Sequence, residues 1–355
     1  MKKTDYLLEH EKVILSLRKL YSSYGYARYV MSKFENYDLY SGNRDYLVSD
    51  RIMTFTDTDG SLKALKPDIT LSIIKNLADD RKQNKLYYNE NVYRPSRNNG
   101  TFREINQLGL EIIGSVDTYE TGEVLDLALG SLSLMSKDTI LDIADIDITY
   151  ALMDRATSDP EIRKHIIKAV SGRNTGELML LKGSSDVDGA YIDSLISLLD
   201  IYGLLGENLG IIEEILADAG LSGLYDSFLS KISLVKDRNI NVDFSMVSDG
   251  NYYNGIIFRG YIREAKQVVL QGGEYRNLLE KMGKKASGIG FAVYADVLRE
   301  IEDRSMKVDI LAVYTEDSVL SAFEDKVRRL REQGKSVFVS NTPDVNVRYR
   351  KLLRL

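Results

Sequence analysis

Apolar residues recur at helical spacing near the start of the chain. Val13, Ile14, Leu17, Leu20 and Tyr21 predict a helix over 5–23, stopped at Gly25. Residues 26–40, rich in tyrosine, read as extended. Short strands at 53–55 and 62–65 flank Asp57-Thr58-Asp59-Gly60, a strong hairpin signal. Pro67 breaks the second strand, and Leu71, Ile74 and Ala78 mark a helix over 69–82. Two long strands, at about 85–94 and 102–113, are joined by the polar loop from Pro95 to Gly100 and predict an antiparallel pair. A helix over 118–136 follows.

From about 155 to 235, leucine and isoleucine take over at helical spacing, as in Ile192, Leu195, Ile196 and Leu199, and predict a helical insert. Strands return at 252–262 and 266–271, the second ended by Gly272-Gly273, with helices at 275–282 and 288–302. Strands at 307–314 and 336–340 enclose a helix at 316–333, with Gly334 at the C-cap position. The pattern predicts an α+β fold: an antiparallel sheet with flanking helices over 1–303, carrying the insert, then a small C-terminal β-α-β module over 304–355.

Composition narrows the chemistry. The 355 residues include 47 Lys+Arg against 53 Asp+Glu, a formal net charge of −6. This balance argues against a general nucleic-acid coat, so no nucleic-acid partner is expected. Neither a signal peptide nor a membrane-spanning run is read, and a cytoplasmic protein is expected. The absence of cysteine excludes disulfides, thiolate nucleophiles and iron–sulfur clusters. The two histidines, His10 and His165, sit in helical stretches and read as packing or surface residues. No metal and no cofactor are expected. There is no phosphate-cradling P-loop, and the lone Ser287-Gly288-Ile289-Gly290 reads as close helix packing.

The strand 102–113 carries the candidate chemistry. Alternation puts Leu108, Leu110 and Ile112 on one face and Arg103, Gln107 and Glu111 on the other, with Gly109 leaving room between the last two. Such a polar ladder is either a solvated sheet face or the floor of a pocket. Nearby tyrosines and paired glycines, in Asn251-Tyr252-Tyr253-Asn254-Gly255 and Gln271-Gly272-Gly273-Glu274-Tyr275, favour a pocket for a small zwitterion. Glu111 or Asp68 would hold its ammonium group, and Gln107 would bond a ring or amide.

In order and spacing, these segments resemble the class II aminoacyl-tRNA synthetase core in its histidyl form, over roughly residues 5–300. Gly25-Tyr26 to Phe34-Glu35 resembles motif 1, with Ser32 in place of the usual proline. Leu65-Lys66-Pro67-Asp68-Ile69-Thr70 resembles the family's L-R-P-E-G-T element. Asn91 to Pro95 with Gly100 to Gly114 resembles motif 2. The 251–255 segment resembles the histidine-specific D-Y-Y-T-G. The 271–275 segment and Gly290-Phe291-Ala292 resemble motif 3. The resemblance implies histidine contacts from Asp68, Thr70, Gln107, Glu111, Tyr253 and Tyr275, with Arg94 and Arg103 as possible anion contacts.

The departures fall on the ATP side. Asn91 and Tyr93 replace the arginine and glutamate of R-x-E-R-P, Val297 replaces the late arginine of motif 3, and Ser248 replaces the arginine before D-Y-Y. Adenylation builds negative charge on phosphate and relies on such guanidinium groups. In G-G-R-Y-D, Glu274 replaces the arginine and Arg276 the aspartate. The residues after 303 are also fewer than a histidyl anticodon-binding domain needs. This pattern is similar to the regulatory subunits of ATP phosphoribosyltransferase. That resemblance implies no catalysis of its own, a short-form catalytic subunit as partner, histidine as feedback effector, and a homodimer within a hetero-oligomer. An amino-acid sensor with another partner and a ligase forming an aminoacyl adenylate are the alternatives.

Overall fold

The computed structural model describes residues 7–47, 49, 51–77, 82–96, 99–236, 238–247, 252–301, 306–315 and 320–354. Ala78, Arg97, Asn98, Ser248 and Asn251, all used in the sequence reading, lie outside the described residues. The chain divides into two units: Val13–Glu300, and Ile301–Leu355 with Met1–Lys12.

Helix α1 (Glu9–Ser23) buries Leu17 and Tyr21 and is followed by Gly25, whose φ of 83° costs glycine no Cβ clash. The stretch expected to be extended is broken into β1 (Ala27–Arg28), β2 (Phe34–Asn36) and α2 (Tyr37–Ser41). Tyr37 and Tyr40 there stand at helical spacing, and Tyr40 turns fully inward. The hairpin β3 (Thr54–Thr56) and β4 (Leu62–Leu65) forms around Gly60 at φ 82°, and β4 pairs on its other edge with β2. Helix α3 (Thr70–Asn76) is shorter than expected, because Leu77 already has extended backbone. Strands β5 (Asn84–Pro95) and β6 (Phe102–Gly114) pair antiparallel from Asn84↔Ile113 to Pro95↔Phe102.

Helix α4 (Thr118–Met135) starts at a capping box of Asp117 and Glu120, which satisfies its free N–H groups. Next come β7 (Thr139–Asp145), α5 (Ile146–Ala156), α6 (Pro160–Ser171), α7 (Thr175–Leu181) and α8 (Gly189–Asp200). The three-residue strand β8 (Tyr202–Leu204) precedes α9 (Leu205–Asp218), α10 (Ser222–Lys231) and β9 (Asn241–Asp243). The stretch read as a helical insert is thus helical apart from β8, which adds an edge to the main sheet. Its Leu195, Ile212 and Phe228 belong to the same apolar cluster as Leu110 and Leu125.

Strands β10 (Ile256–Ile262) and β11 (Leu270–Tyr275) lead through α11 (Asn277–Lys281) to β12 (Ser287–Tyr294) and α12 (Ala295–Ile301). Two expectations fail here. Gly272-Gly273 does not end a strand but lies inside β11, and the helix read over 288–302 is a strand followed by a shorter helix. Gly288 and Gly290 alternate with Ile289, Phe291 and Val293, which is a period of two with small residues on one face. The glycines therefore serve strand packing, not helix packing.

The main sheet has nine strands in the order β1-β5-β6-β12-β11-β10-β7-β9-β8, antiparallel except for β1 with β5 and β7 with β9. Helix α4 covers the face that carries Leu108, Leu110, Ile112 and Phe291. The opposite face packs Tyr88, Ile113 and Tyr275 with Ile69, Ile73 and Leu278 in a second cluster.

The other unit holds β13 (Met306–Val313), α13 (Leu320–Glu332), β14 (Val337–Ser340) and β15 (Val347–Arg354), with Phe323 and Val327 of α13 against Ala312. The sheet order is β14-β13-β15, all parallel. Strand β15 was not expected, and Arg348, Arg350, Lys351 and Arg354 on it are exposed. An edge strand bonds along one side only, so its sequence needs little apolar alternation.

Phe291 meets Tyr21 at 5.9 Å and Phe258 at 6.1 Å between ring centroids. Phe291→Ala should cost about 3–5 kcal/mol in urea unfolding, and Phe55→Ala on the exposed hairpin about 1 kcal/mol or less. Equal losses would contradict this placement of the core.

Candidate functional site

Gln107 and Glu111 stand on the face of β6 away from α4, and they are only 4% and 3% exposed. The solvated-face reading is therefore wrong. Loops and strand ends close over this face and leave a cavity of about 310 Å³. Asp68, Thr70, Gln107, Glu111, Tyr253 and Tyr275 all line it, as does Arg94. Arg103 does not line it and is exposed.

Each side chain has a local reason for its position. The break at Pro67 puts Asp68 before α3, where Oδ1 accepts the Leu71 N–H at 2.9 Å. Its Oδ2 lies 3.4 Å from the Arg94 guanidinium, whose Nε donates to the Pro67 carbonyl at 2.6 Å. Asp68 thus holds the first turn of α3 and pairs with Arg94 at once. Burial pushes its carboxyl above the usual range, and Arg94 pulls it back.

Glu111 lies flat on the sheet. Thr70 Oγ1 donates to its Oε1 at 2.8 Å, and Tyr275 Oη donates to its Oε2 at 2.7 Å. Burial raises its pKa to about 8; the two hydroxyls oppose this and nearby Asp68 adds to it. Gly290 makes the position possible, since a Cβ there would come within 1.9 Å of Oε2. Gly109 gives the same close approach to Tyr88, its cross-strand partner on β5, whose hydroxyl oxygen would be 2.4 Å from a Cβ. Burial raises the hydroxyls of Tyr88, Tyr252 and Tyr275 well above the ordinary tyrosine value, so they remain neutral hydrogen-bond donors.

Several lining residues were missed in the sequence. Tyr88 was legible, because alternation on β5 puts it opposite Gly109. Tyr252 and Gln271 were quoted as neighbours without a role. Asp45 and Tyr46 enter from a 3-10 turn (Arg44–Tyr46) that no periodicity marked. Together the residues offer carboxylates to a cation, amides and hydroxyls to a polar ring or amide, and Arg94 to an anion. Among the described residues, no group of three or more His, Asp or Glu could hold a metal ion. Nor is any helix long and apolar enough to cross a membrane.

Among the described residues, positions that depart from the synthetase pattern are otherwise engaged. Asn91 Nδ2 donates to Glu104 at 2.5 Å, and Asn91 Oδ1 accepts from Asn106 Nδ2 at 2.6 Å. Tyr93 Oη donates to the same glutamate at 3.0 Å. Val297 is buried in the apolar core. Glu274 points away from the cavity to Thr121 of α4, at 2.7 Å. Of the histidines, His10 is buried in α1 and His165 is exposed on α6; neither lines the cavity.

Comparison with known proteins agrees with this architecture. An ATP phosphoribosyltransferase regulatory subunit from Clostridium botulinum (strain Langeland, type F) is 27% identical over 345 residues, covering 90% of this chain and 81% of that protein. The crystal structure of an ATP phosphoribosyltransferase regulatory subunit/histidyl-tRNA synthetase from Bacillus halodurans superposes with a TM-score of 0.73 at 20% identity, over 98% of this chain and 93% of that one. A chain of the ATP phosphoribosyl transferase (HisG:HisZ) complex from Thermotoga maritima superposes with a TM-score of 0.63 at 18% identity, over 83% and 98%. The fold is that of the class II synthetases, and the family model for histidyl-tRNA synthetase matches residues 7–298. With its sheet, motif order and most of its length accounted for in this way, the chain belongs to the histidyl-tRNA synthetase family.

Proposed function

We propose that this chain is a regulatory subunit of ATP phosphoribosyltransferase, the first enzyme of histidine biosynthesis. In this reading it is required by a short catalytic subunit and makes that subunit sensitive to histidine. One observation carries it. The residues that the synthetase resemblance gives to the amino acid line one cavity, with Asp68 in place of a glutamate, while positions 91 and 297, where ATP chemistry needs arginine, hold asparagine and a buried valine. The similarity to regulatory subunits over most of the chain points the same way. The chain works without catalysis of its own, in the cytoplasm, as a homodimer within a hetero-oligomer.

Histidine then occupies the cavity, with Glu111 and Asp68 facing its cationic groups. Regulation follows from linkage. If histidine binds a low-activity state of the complex more tightly, it shifts the population toward that state. A coupling of about 1–3 kcal/mol gives about 5- to 150-fold inhibition.

Phosphoribosyl-ATP formation by the short catalytic subunit should require this chain and fall as histidine is added. Glu111→Ala and Asp68→Ala should each raise the inhibitory concentration of histidine by about tenfold or more, the scale of a lost charged hydrogen bond, while the complex still assembles. Unchanged inhibition in both variants would remove histidine from this cavity. ATP–pyrophosphate exchange with histidine should stay at background; exchange above it would make the chain a ligase.

The raised pKa of Glu111 sets a pH dependence. The free pocket holds a proton on Glu111 up to about pH 8. A bound cation favours the carboxylate, so binding releases that proton. The bound state then holds fewer protons, and affinity should rise with pH toward 8 and level off above it. The histidine imidazole titrates near 6.5, so the window to measure is between there and 8. Calorimetry in phosphate and in Tris should show the proton as a buffer-dependent heat. Affinity that falls across this window would contradict a protonated Glu111.

A further inference from the structure

Tyr252 and Tyr253 form one wall of the cavity, with ring centroids 4.6 Å apart, and Tyr252 lies 5.9 Å from Tyr275. They sit in the loop entering β10, not in a strand, so something must hold their backbone. Among the described residues, Ile146 donates its N–H to the Gly255 carbonyl at 2.9 Å, and two further bonds run to Glu274, a residue outside the cavity. The Asn254 N–H donates to the Glu274 carbonyl at 3.0 Å, and the Ile256 N–H donates to Glu274 Oε2 at 3.1 Å. Two residues on from Glu274, Arg276 donates its N–H to Asn254 Oδ1 at 2.5 Å.

The Glu274 carboxylate is itself held in place. Oε1 accepts from Thr121 of α4 at 2.7 Å, and Oε2 accepts from Lys231 Nζ at 2.9 Å. Lys231 is the last residue of α10, the final helix of the insert. Its ammonium also lies 3.3 Å from Asp145, whose other oxygen accepts the Asp147 N–H at the start of α5. The side chains of Glu274, Lys231 and Asp145 are 13%, 18% and 4% exposed. Gly255 sits against the pair: at φ 74°, a Cβ there would fall 1.8 Å from Glu274 Oε2 and 2.9 Å from Lys231 Nζ. The loop has been brought as close to this carboxylate as a backbone can come.

We propose that Glu274 and Lys231 are positioning residues for the cavity: they clamp the Tyr252–Gly255 loop onto β11 and make its tyrosine wall depend on the placement of helix α10. Neither touches the cavity. One ammonium bridges the buried Asp145 and the part-buried Glu274 carboxylates, so withdrawing it leaves like charges facing each other with little water to screen them. The carboxylates then turn or take up protons, and the Ile256 N–H loses its acceptor. A partner that shifts the insert thereby loosens or tightens the wall from behind.

The ligand half of the test rests on histidine being the effector, as proposed above; the loop half does not. In the full-length, ligand-free protein, Lys231→Met should speed amide exchange at Asn254 and Ile256 by about tenfold or more, with β5 and β6 unchanged. The histidine Kd should rise by about tenfold. Lys231→Arg, which keeps the charge, should restore both. Glu274→Gln, which keeps the shape, should show the same local exchange effect even if Lys231→Met fails to fold. Exchange that rises evenly through the sheet, or does not change at 254 and 256, overturns the clamp. If the wild-type protein binds no histidine while Lys231→Met shows the local exchange effect, the histidine reading alone is overturned.

Discussion

A carboxylate can lie against a β-sheet only where the neighbouring strand has no side chain. That constraint sits at Gly290, beneath Glu111, and it organises the cavity. With the floor bare, Glu111 is shut away from water and accepts hydroxyls from two separate elements, Thr70 of α3 and Tyr275 of β11. Those bonds fix the start of α3 relative to the sheet, which in turn places Asp68 and, through Pro67, Arg94. Gly109 repeats the arrangement one strand away for Tyr88. The burial that makes Glu111 costly to ionise is the same burial that makes it responsive to an arriving cation.

Much of this was legible because a strand writes its two faces in alternate positions. Leu108, Leu110 and Ile112 against Gln107 and Glu111 already separated core from cavity. What that pattern lacked was the cover over the polar face. Asp45, Tyr46 and Tyr252 reach it from loops, where no period operates. The strand β12 was misread as helix because Gly288 and Gly290 are weak strand formers. They are tolerated there because Tyr275 and Glu111 fill the space their side chains leave. The edge strands β8 and β15 escaped notice for a different reason: one is three residues long and the other is mostly charged.

The sheet also carries two polar groupings. On the amino-acid side, hydroxyls, amides and carboxylates converge on a small volume. Toward the far end of β5 and β6, Asn91, Tyr93, Glu104 and Asn106 satisfy one another, and Val297 is committed to the core. Restoring arginine at 91 or 297 would mean breaking that network or burying a charge among apolar side chains. The residues at positions 91 and 297 are thus built into the packing rather than standing as isolated side chains.

The cations of β15 bear on how the molecule behaves at high concentration. An open strand edge presents free N–H and C=O groups to any similar edge, the geometry from which fibrils grow. Two copies meeting there in parallel register would bring Arg348, Arg350, Lys351 and Arg354 of each to within about one strand spacing, roughly 4.8 Å, of their counterparts. Repulsion at that distance opposes the backbone bonds such a contact would gain. The charges of β15 therefore oppose growth of the small sheet by edge pairing.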